Sequence, residues 1–235
     1  MTTKTLNISE EQLVDYSKAH NEPSWMTELR KKALKLTETL EMPKPDKTKL
    51  RKWDFDTFKQ HHTTGDAYTQ LTDLPKSVKE IIDVENSENL IIQHNNELAY
   101  TQVSDQAKHD GVIIEGLSEA LVNHSDLVQK YFMTKAVDVD EHRLTALHTA
   151  LVNGGIFVYV PKNTVVEHPI QYVVLHDDEQ ASFYNHVIIV TEESAEVTYV
   201  ENYLSTTSGE DNQLNIVSEV IAGANSNVTY RSEER

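Results

Sequence analysis

The sequence predicts a mainly β protein with an α-helical N-terminal region, and three observations carry that expectation. In the segment Ile156 to Val160, Ile156, Val158 and Val160 face one way while Phe157 and Tyr159 face the other. A strand there is apolar on both faces and needs cover from both sides, unlike a half-solvated hairpin strand. Beyond Gly155 the strand pattern repeats with no helical pattern between: Ile156 to Val160, Ile170 to His176, Val187 to Val190, Val197 to Tyr203, Leu214 to Val220 and Val228 to Tyr230. Near the N-terminus, by contrast, Trp25, Leu29, Ala33, Leu36 and Leu40 recur at three- and four-residue spacing, the apolar stripe of an amphipathic helix. The later strands begin between 10 and 18 residues apart, a spacing that permits a sandwich or a solenoid and does not choose between them.

Taken in order, Ser9 and Gln12 form a capping box ahead of Leu13, Tyr16 and Ala19, so a short helix is expected from residue 10. The second helix follows Pro23, with Arg30, Lys31, Lys32 and Lys35 largely off its apolar stripe, and Pro43 is expected to stop it. Met42 to Lys52 holds two prolines and five basic residues and reads as a linker. It is either a solvated connector or a basic arm for an acidic partner. Trp53 to Leu74 gives little signal beyond loop. Asn89 to His94 and Leu98 to Val103 flank Asn95-Asn96-Glu97 and predict a β-hairpin. Val112 to Ile114 reads as a short strand. Leu117, Leu121, Leu127, Val128, Tyr131 and Phe132 favour one or two helices, and Leu144, Leu147 and Leu151 mark another that Gly154 can terminate. Pro161, lacking an amide hydrogen, ends the strand that precedes it, Lys162 and Asn163 suit the following turn, and Pro169 can only open a strand. The expected organisation is 1–60 helical region and linker, 61–153 mixed α/β, and 154–235 strand-rich core.

At 235 residues with 38% hydrophobic content the chain can bury a real core. It has no apolar run near the roughly 20 residues that span a bilayer, and Met1 to Glu10 is polar with no secretory apolar region, so a cytoplasmic location is expected and no membrane partner. There are no cysteines, which excludes disulfides, thiolate metal sites, persulfide carriage and cysteine nucleophiles within this chain. The net charge is −17, with 12 basic and 10 acidic residues in 1–60 against 9 and 28 beyond. An acidic body repels phosphate backbones, so nucleic acid is not an expected partner.

Eleven histidines invite a search for metal ligands. His61 and His62 are adjacent and diverge on either a helix or a strand, and His142 and His148, six apart, miss a shared helical face. His168, His176 and His186 lie among the strands, where they are expected to be structural unless the fold converges them. Asp177, Asp178 and Glu179 follow a strand; they suit a hard cation or a carboxylate pair in type, but consecutive residues point apart and a solvated turn is the simpler reading. Gly154-Gly155 lacks the spacing of a nucleotide loop and reads as a helix cap and the start of a strand. No catalytic, cofactor-binding or metal-ligating residue is assigned.

The helix LTALHTALVN, the glycine pair, F-V-Y-V-P-K and the strand after Pro169 together resemble the SufB/SufD family of iron–sulfur cluster assembly proteins. The resemblance extends back to Glu22, Pro23, Trp25, Arg30 and Ala33, similar to the family's N-terminal helix, and to Pro43, Pro45 and Trp53; it extends forward through His186 to Val190, Ala195 to Tyr203 and Gly223 to Tyr230. It implies a right-handed parallel β-helix, incomplete at the C-terminus, and so an N-terminal portion or truncated form, natural or engineered. It further implies a non-catalytic scaffold, nearer the SufD than the SufB branch because cysteine is absent. The implied partners are a SufB-like homologue and a SufC-like ABC ATPase, with a homodimer as an alternative. No cofactor is expected on this chain alone, the iron–sulfur cluster being assembled by the full complex. A second class of function, a parallel β-helix polysaccharide lyase or hydrolase, would draw its carboxylates from Asp177, Asp178 or Glu179.

Overall fold

The structure is a computed structural model that describes residues 6–50, 53, 55, 58–59, 63–84, 87–206 and 214–234. Helix α1, Glu10–Ala19, opens as expected: the Ser9 hydroxyl accepts from the Gln12 amide and the Gln12 side chain accepts in return from the Ser9 amide. Helix α2, Ser24–Leu36, follows Pro23 but ends before Pro43. The Thr37 hydroxyl donates to the Leu34 carbonyl at 2.6 Å, and the Thr-Glu-Thr run has poor helix propensity, so the helix stops without the proline. From residue 41 to 49 the chain is extended or bent and largely exposed, in keeping with a linker.

Arg30 corrects the reading of α2. The expectation set it largely off the apolar stripe, yet it is 1% exposed. Its Nε and Nη2 donate to the two Glu22 oxygens at 2.8 and 2.6 Å, and its Nη1 donates to the Ala150 carbonyl at 3.0 Å. Ser17 on α1 donates to Glu22 as well, and the guanidinium lies 5.0 Å from the Tyr16 ring centre. A charge can be buried here because it is fully paired.

The chain is mixed α/β, with helices continuing well past the N-terminal region. Two short ones, α3 (Lys76–Lys79) and α4 (Asp105–His109), carry too few residues for a periodic signal. They are followed by α5 (Leu117–Asn123), α6 (Ser125–Tyr131) and α7 (Arg143–Leu151). The hairpin is present as β1 (Asn89–His94) and β2 (Glu97–Gln102), turning at Asn95-Asn96. The remaining strands are β3 (Ile113–Gly116), β4 (Gly154–Val160), β5 (Ile170–His176), β6 (Phe183–Thr191), β7 (Glu196–Ser205), β8 (Leu214–Ala222) and β9 (Asn227–Glu234).

They form two mixed sheets, β2-β1-β5-β7-β9 and β3-β4-β6-β8. Within each, one antiparallel pair, β1 with β2 or β3 with β4, precedes a run of parallel strands. From β4 onward, successive strands alternate between the sheets. Val160 lies opposite Thr191 and Thr191 opposite Ala222, so equivalent positions in that sheet recur every 31 residues. The connecting turns repeat too: Asn163, Ser194 and Asn225 all take positive φ, at 59°, 58° and 57°.

Both faces of β4 are covered, as its sequence requires. Ile156, Val158 and Val160 pack between the sheets with Tyr172, Val174, Val187, Ile189 and Tyr199. Phe157 faces outward into a second cluster with Leu117, Leu121, Val128 and Phe132 from the α5–α6 layer. Burying a side chain of that size contributes about 1.5–3 kcal/mol. The glycine pair needs correction: α7 ends at Leu151 with Val152 as its cap, and Gly154 and Gly155 belong to β4 itself. Gly155 has φ 142°, and a Cβ there would lie 2.0 Å from the His186 carbonyl oxygen. The glycines permit close strand approach; they do not stop the helix.

Candidate functional site

Of the residues singled out from sequence, His148 and His186 meet; the others do not converge. Asp177 leaves the end of β5 and is bound by two side chains of the β1–β2 turn region. His94 Nδ1 accepts from the Asp66 amide at 2.8 Å, so Nε2 carries the proton and donates to Asp177 at 2.9 Å. Asn95 donates to the other Asp177 oxygen at 2.9 Å. Against the upward push of burial, these bonds hold the Asp177 carboxyl below its usual range. Asp178 accepts from the Gln180 amide, as a turn residue does. Asp177 is therefore a structural tie, more than the solvated turn residue expected.

The other singled-out histidines scatter. His168 lies two residues before β5 and His176 ends it, while His186 lies on β6 in the other sheet. His61 and His62 fall outside the described residues. His142 caps α7 by accepting from the Thr145 amide. Among the described residues no group of three or more His, Asp or Glu could hold a metal ion.

Two buried polar networks were not visible in the sequence. The first lies between the sheets. Strand alternation turns Tyr199, Glu201 and Tyr203 inward together. Glu201, 1% exposed, accepts from Tyr199 at 2.9 Å, Tyr203 at 3.4 Å and Tyr230 at 2.5 Å. The chain of bonds continues from Tyr203 through Asn185 to Tyr172 and Gln93, and Gln93 accepts in turn from the Gly155 amide. Burial, and after it the Glu201 carboxylate, raises the Tyr199 phenol well above its ordinary range. These phenols are protonated donors, and with three of them the buried carboxylate is satisfied without a cation. The arrangement ties β1, β5, β6, β7 and β9 across the interior.

The second network lies on the outer face of the β3-β4-β6-β8 sheet, under the helices. His148 on α7 meets His186 on β6 at 2.9 Å, and His186 Nε2 meets Glu219 on β8 at 3.0 Å. All three residues are fully buried. Glu219 also accepts from the Met133 and Val137 amides, so it fastens the segment after α6 to the sheet. Alternating patterning could have flagged Glu219 and Glu201 as charges inside strands; nothing local told which would be paired.

Two family models match consecutive stretches of the chain. The SufBD protein N-terminal region matches residues 10–172, and the SUF system FeS cluster assembly SufBD core domain matches residues 173–234. The chain belongs to the SufBD family. Its curated SufBD relatives include the iron–sulfur cluster assembly protein SufD of Bacillus subtilis, 48% identical over 226 residues, covering 96% of this chain and 52% of the relative. An iron–sulfur cluster assembly SufBD family protein of Staphylococcus epidermidis is 26% identical, over 95% of this chain and 50% of its own. One of Mycobacterium bovis is 29% identical, over 84% of this chain and 24% of its own. The chain thus spans about half the length of the first two SufBD relatives and about a quarter of the third. No helix among its described residues is long and apolar enough to cross a membrane.

Proposed function

We propose that this chain is a SufD-like, non-catalytic scaffold subunit of a SufBCD-type complex that assembles iron–sulfur clusters in the cytoplasm. The observation that carries it is the 48% identity to the Bacillus subtilis SufD along 96% of this chain. The alternation of β4 through β9 between two sheets, in parallel register, supports reading the strand-rich half as the first coils of a right-handed parallel β-helix. A scaffold needs rigid, internally satisfied coils, and the two networks supply them: the polar groups between the sheets and beneath the helices bond one another. On this reading the cluster is the cargo of the whole complex and this chain alone holds none. Its partners are a cysteine-bearing SufB-like homologue and a SufC-like ABC ATPase.

The test is affinity capture of the chain from its own cell extract, followed by mass spectrometry of the captured proteins. Co-recovery of an ABC-type ATPase and a cysteine-bearing homologue is expected. Recovery of this chain by itself, at a single or doubled mass, overturns the complex and favours a stand-alone scaffold.

A further inference from the structure

We propose that Asn215, His148, His186 and Glu219 form a buried one-proton relay whose loading state is expressed in the orientation of the Asn215 amide. The inference rests on counting donors and acceptors along a closed line of contacts. Asn215 Oδ1 faces His148 Nδ1 at 2.8 Å, His148 Nε2 faces His186 Nδ1 at 2.9 Å, and His186 Nε2 faces Glu219 Oε1 at 3.0 Å. Oδ1 only accepts, so His148 Nδ1 carries a proton and its Nε2, in the neutral ring, is an acceptor. His186 Nδ1 must then donate to it. His186 Nε2 faces a carboxylate that already accepts two backbone amides, from Met133 and Val137, so a proton sits in that contact as well. With the Asn215 amide in this orientation the line holds three protons, where two neutral imidazoles beside a carboxylate supply two.

Removing the extra proton needs no movement of ring or backbone. The proton on His148 Nδ1 leaves toward solvent past half-buried Asn215, and the proton on His186 Nδ1 passes to His148 Nε2. The Asn215 amide then turns about its terminal bond so that Nδ2 donates to the bare His148 Nδ1. His186 keeps its Nε2 proton and still donates to Glu219. Every contact is satisfied in both states, with the direction of donation reversed in the Asn215–His148 and His148–His186 contacts and unchanged between His186 and Glu219.

Few other charges face the relay. Among the described residues, Arg30 on α2 opposes a proton on His148 and is itself paired with Glu22, and the Tyr184 and Phe132 rings pack against the two imidazoles. Burial holds both imidazoles below their ordinary value, so loading belongs to the acidic side of neutrality. Both ends of the relay are on β8, which pairs with β6 on one side only among the described residues. Its middle is on β6 and α7, and Glu219 holds the 133–137 segment. The proton thus sits where the edge strand meets the helices.

The test is nitrogen NMR of the full chain with ring-labelled histidine, titrated from about pH 8.5 to about pH 4.5. His148 is expected to switch from the Nε2–H to the Nδ1–H form at the same midpoint at which His186 gains its second proton. Glu219→Gln, which removes the counter-charge, is expected to lower the proton affinity by about tenfold or more, and Asn215→Asp, which can only accept, to raise it by about tenfold. If Glu219→Gln fails to fold, Asn215→Asp decides the matter on its own. One His148 tautomer throughout, independent titration of the two rings, or an unchanged midpoint in Asn215→Asp overturns the proposal.

Discussion

Arg30 shows how much one side chain can decide. It joins α1, α2 and α7 through Glu22, Ser17 and the Ala150 carbonyl. Arg30→Ala leaves Glu22 buried without its partner, and we expect a loss of about 3–5 kcal/mol in denaturant unfolding. Replacing both partners together, Glu22→Leu with Arg30→Met, is expected to recover most of that loss, because no orphaned charge remains. The buried imidazoles give a second expectation. Burial sets the folded-state values of His148 and His186 below 6.5. Below about pH 6.5 the unfolded chain therefore binds more protons than the folded one. Their contribution is complete above that pH and is lost as pH falls toward the folded midpoints. The salt-bridged or hydrogen-bonded carboxylates of Glu10, Glu22 and Asp177, with lowered values, act in a separate window, and their contribution is lost only as pH falls below about 4.5. Thermal melts should show the melting temperature declining from about pH 6.5 downward, in two stages; a flat profile to about pH 5 contradicts the first.

Among the elements, α1 rests on a local device and α2 on a distant one. Ser9→Ala removes the cap of α1 and is expected to cost about 1 kcal/mol, read as a lower denaturation midpoint with an unchanged slope. Helix α2 survives on tertiary packing: Met26, Arg30 and Ala33 are its buried residues. The 41–49 segment has neither support. Lys44, Lys47 and Lys49 are exposed there, so brief trypsin treatment should cut within this stretch before any strand, with the fragment masses giving the site. A first cut inside β4 to β7 would show that the linker is held down.

For the whole molecule, the alternation of strands between two sheets sets a gradient of protection. β1, β5 and β6 are buried along their whole length and paired on both sides, whereas β8 and β9 each pair on one side only among the described residues and are partly exposed. Amide exchange should be slowest in β1, β5 and β6 and fastest in the outer halves of β8 and β9. Uniform protection across the described strands would mean that the edges are covered in solution, for instance by a partner.

What the sequence by itself determined was local. The Ser9 box, the Asn95-Asn96 turn, the two-faced strand Ile156 to Val160 and the stop at Pro161 all stand where neighbouring residues suffice to fix the backbone. The 31-residue repeat was also written there, since Val197-Thr198-Tyr199 and Val228-Thr229-Tyr230 are identical and lie opposite each other in the sheet. Tertiary structure alone decided which strands pair, why Gly154 and Gly155 open a strand, and why charges sit inside. Arg30 reaches a carbonyl 120 residues away, and Glu219 meets amides more than 80 residues back. A polar residue in a strand is compatible with solvent or with a buried partner, and periodicity encodes only its direction. Its partner is fixed when the folded chain brings distant backbone and side-chain groups together in a dry interior, where an unpaired charge costs several kcal/mol.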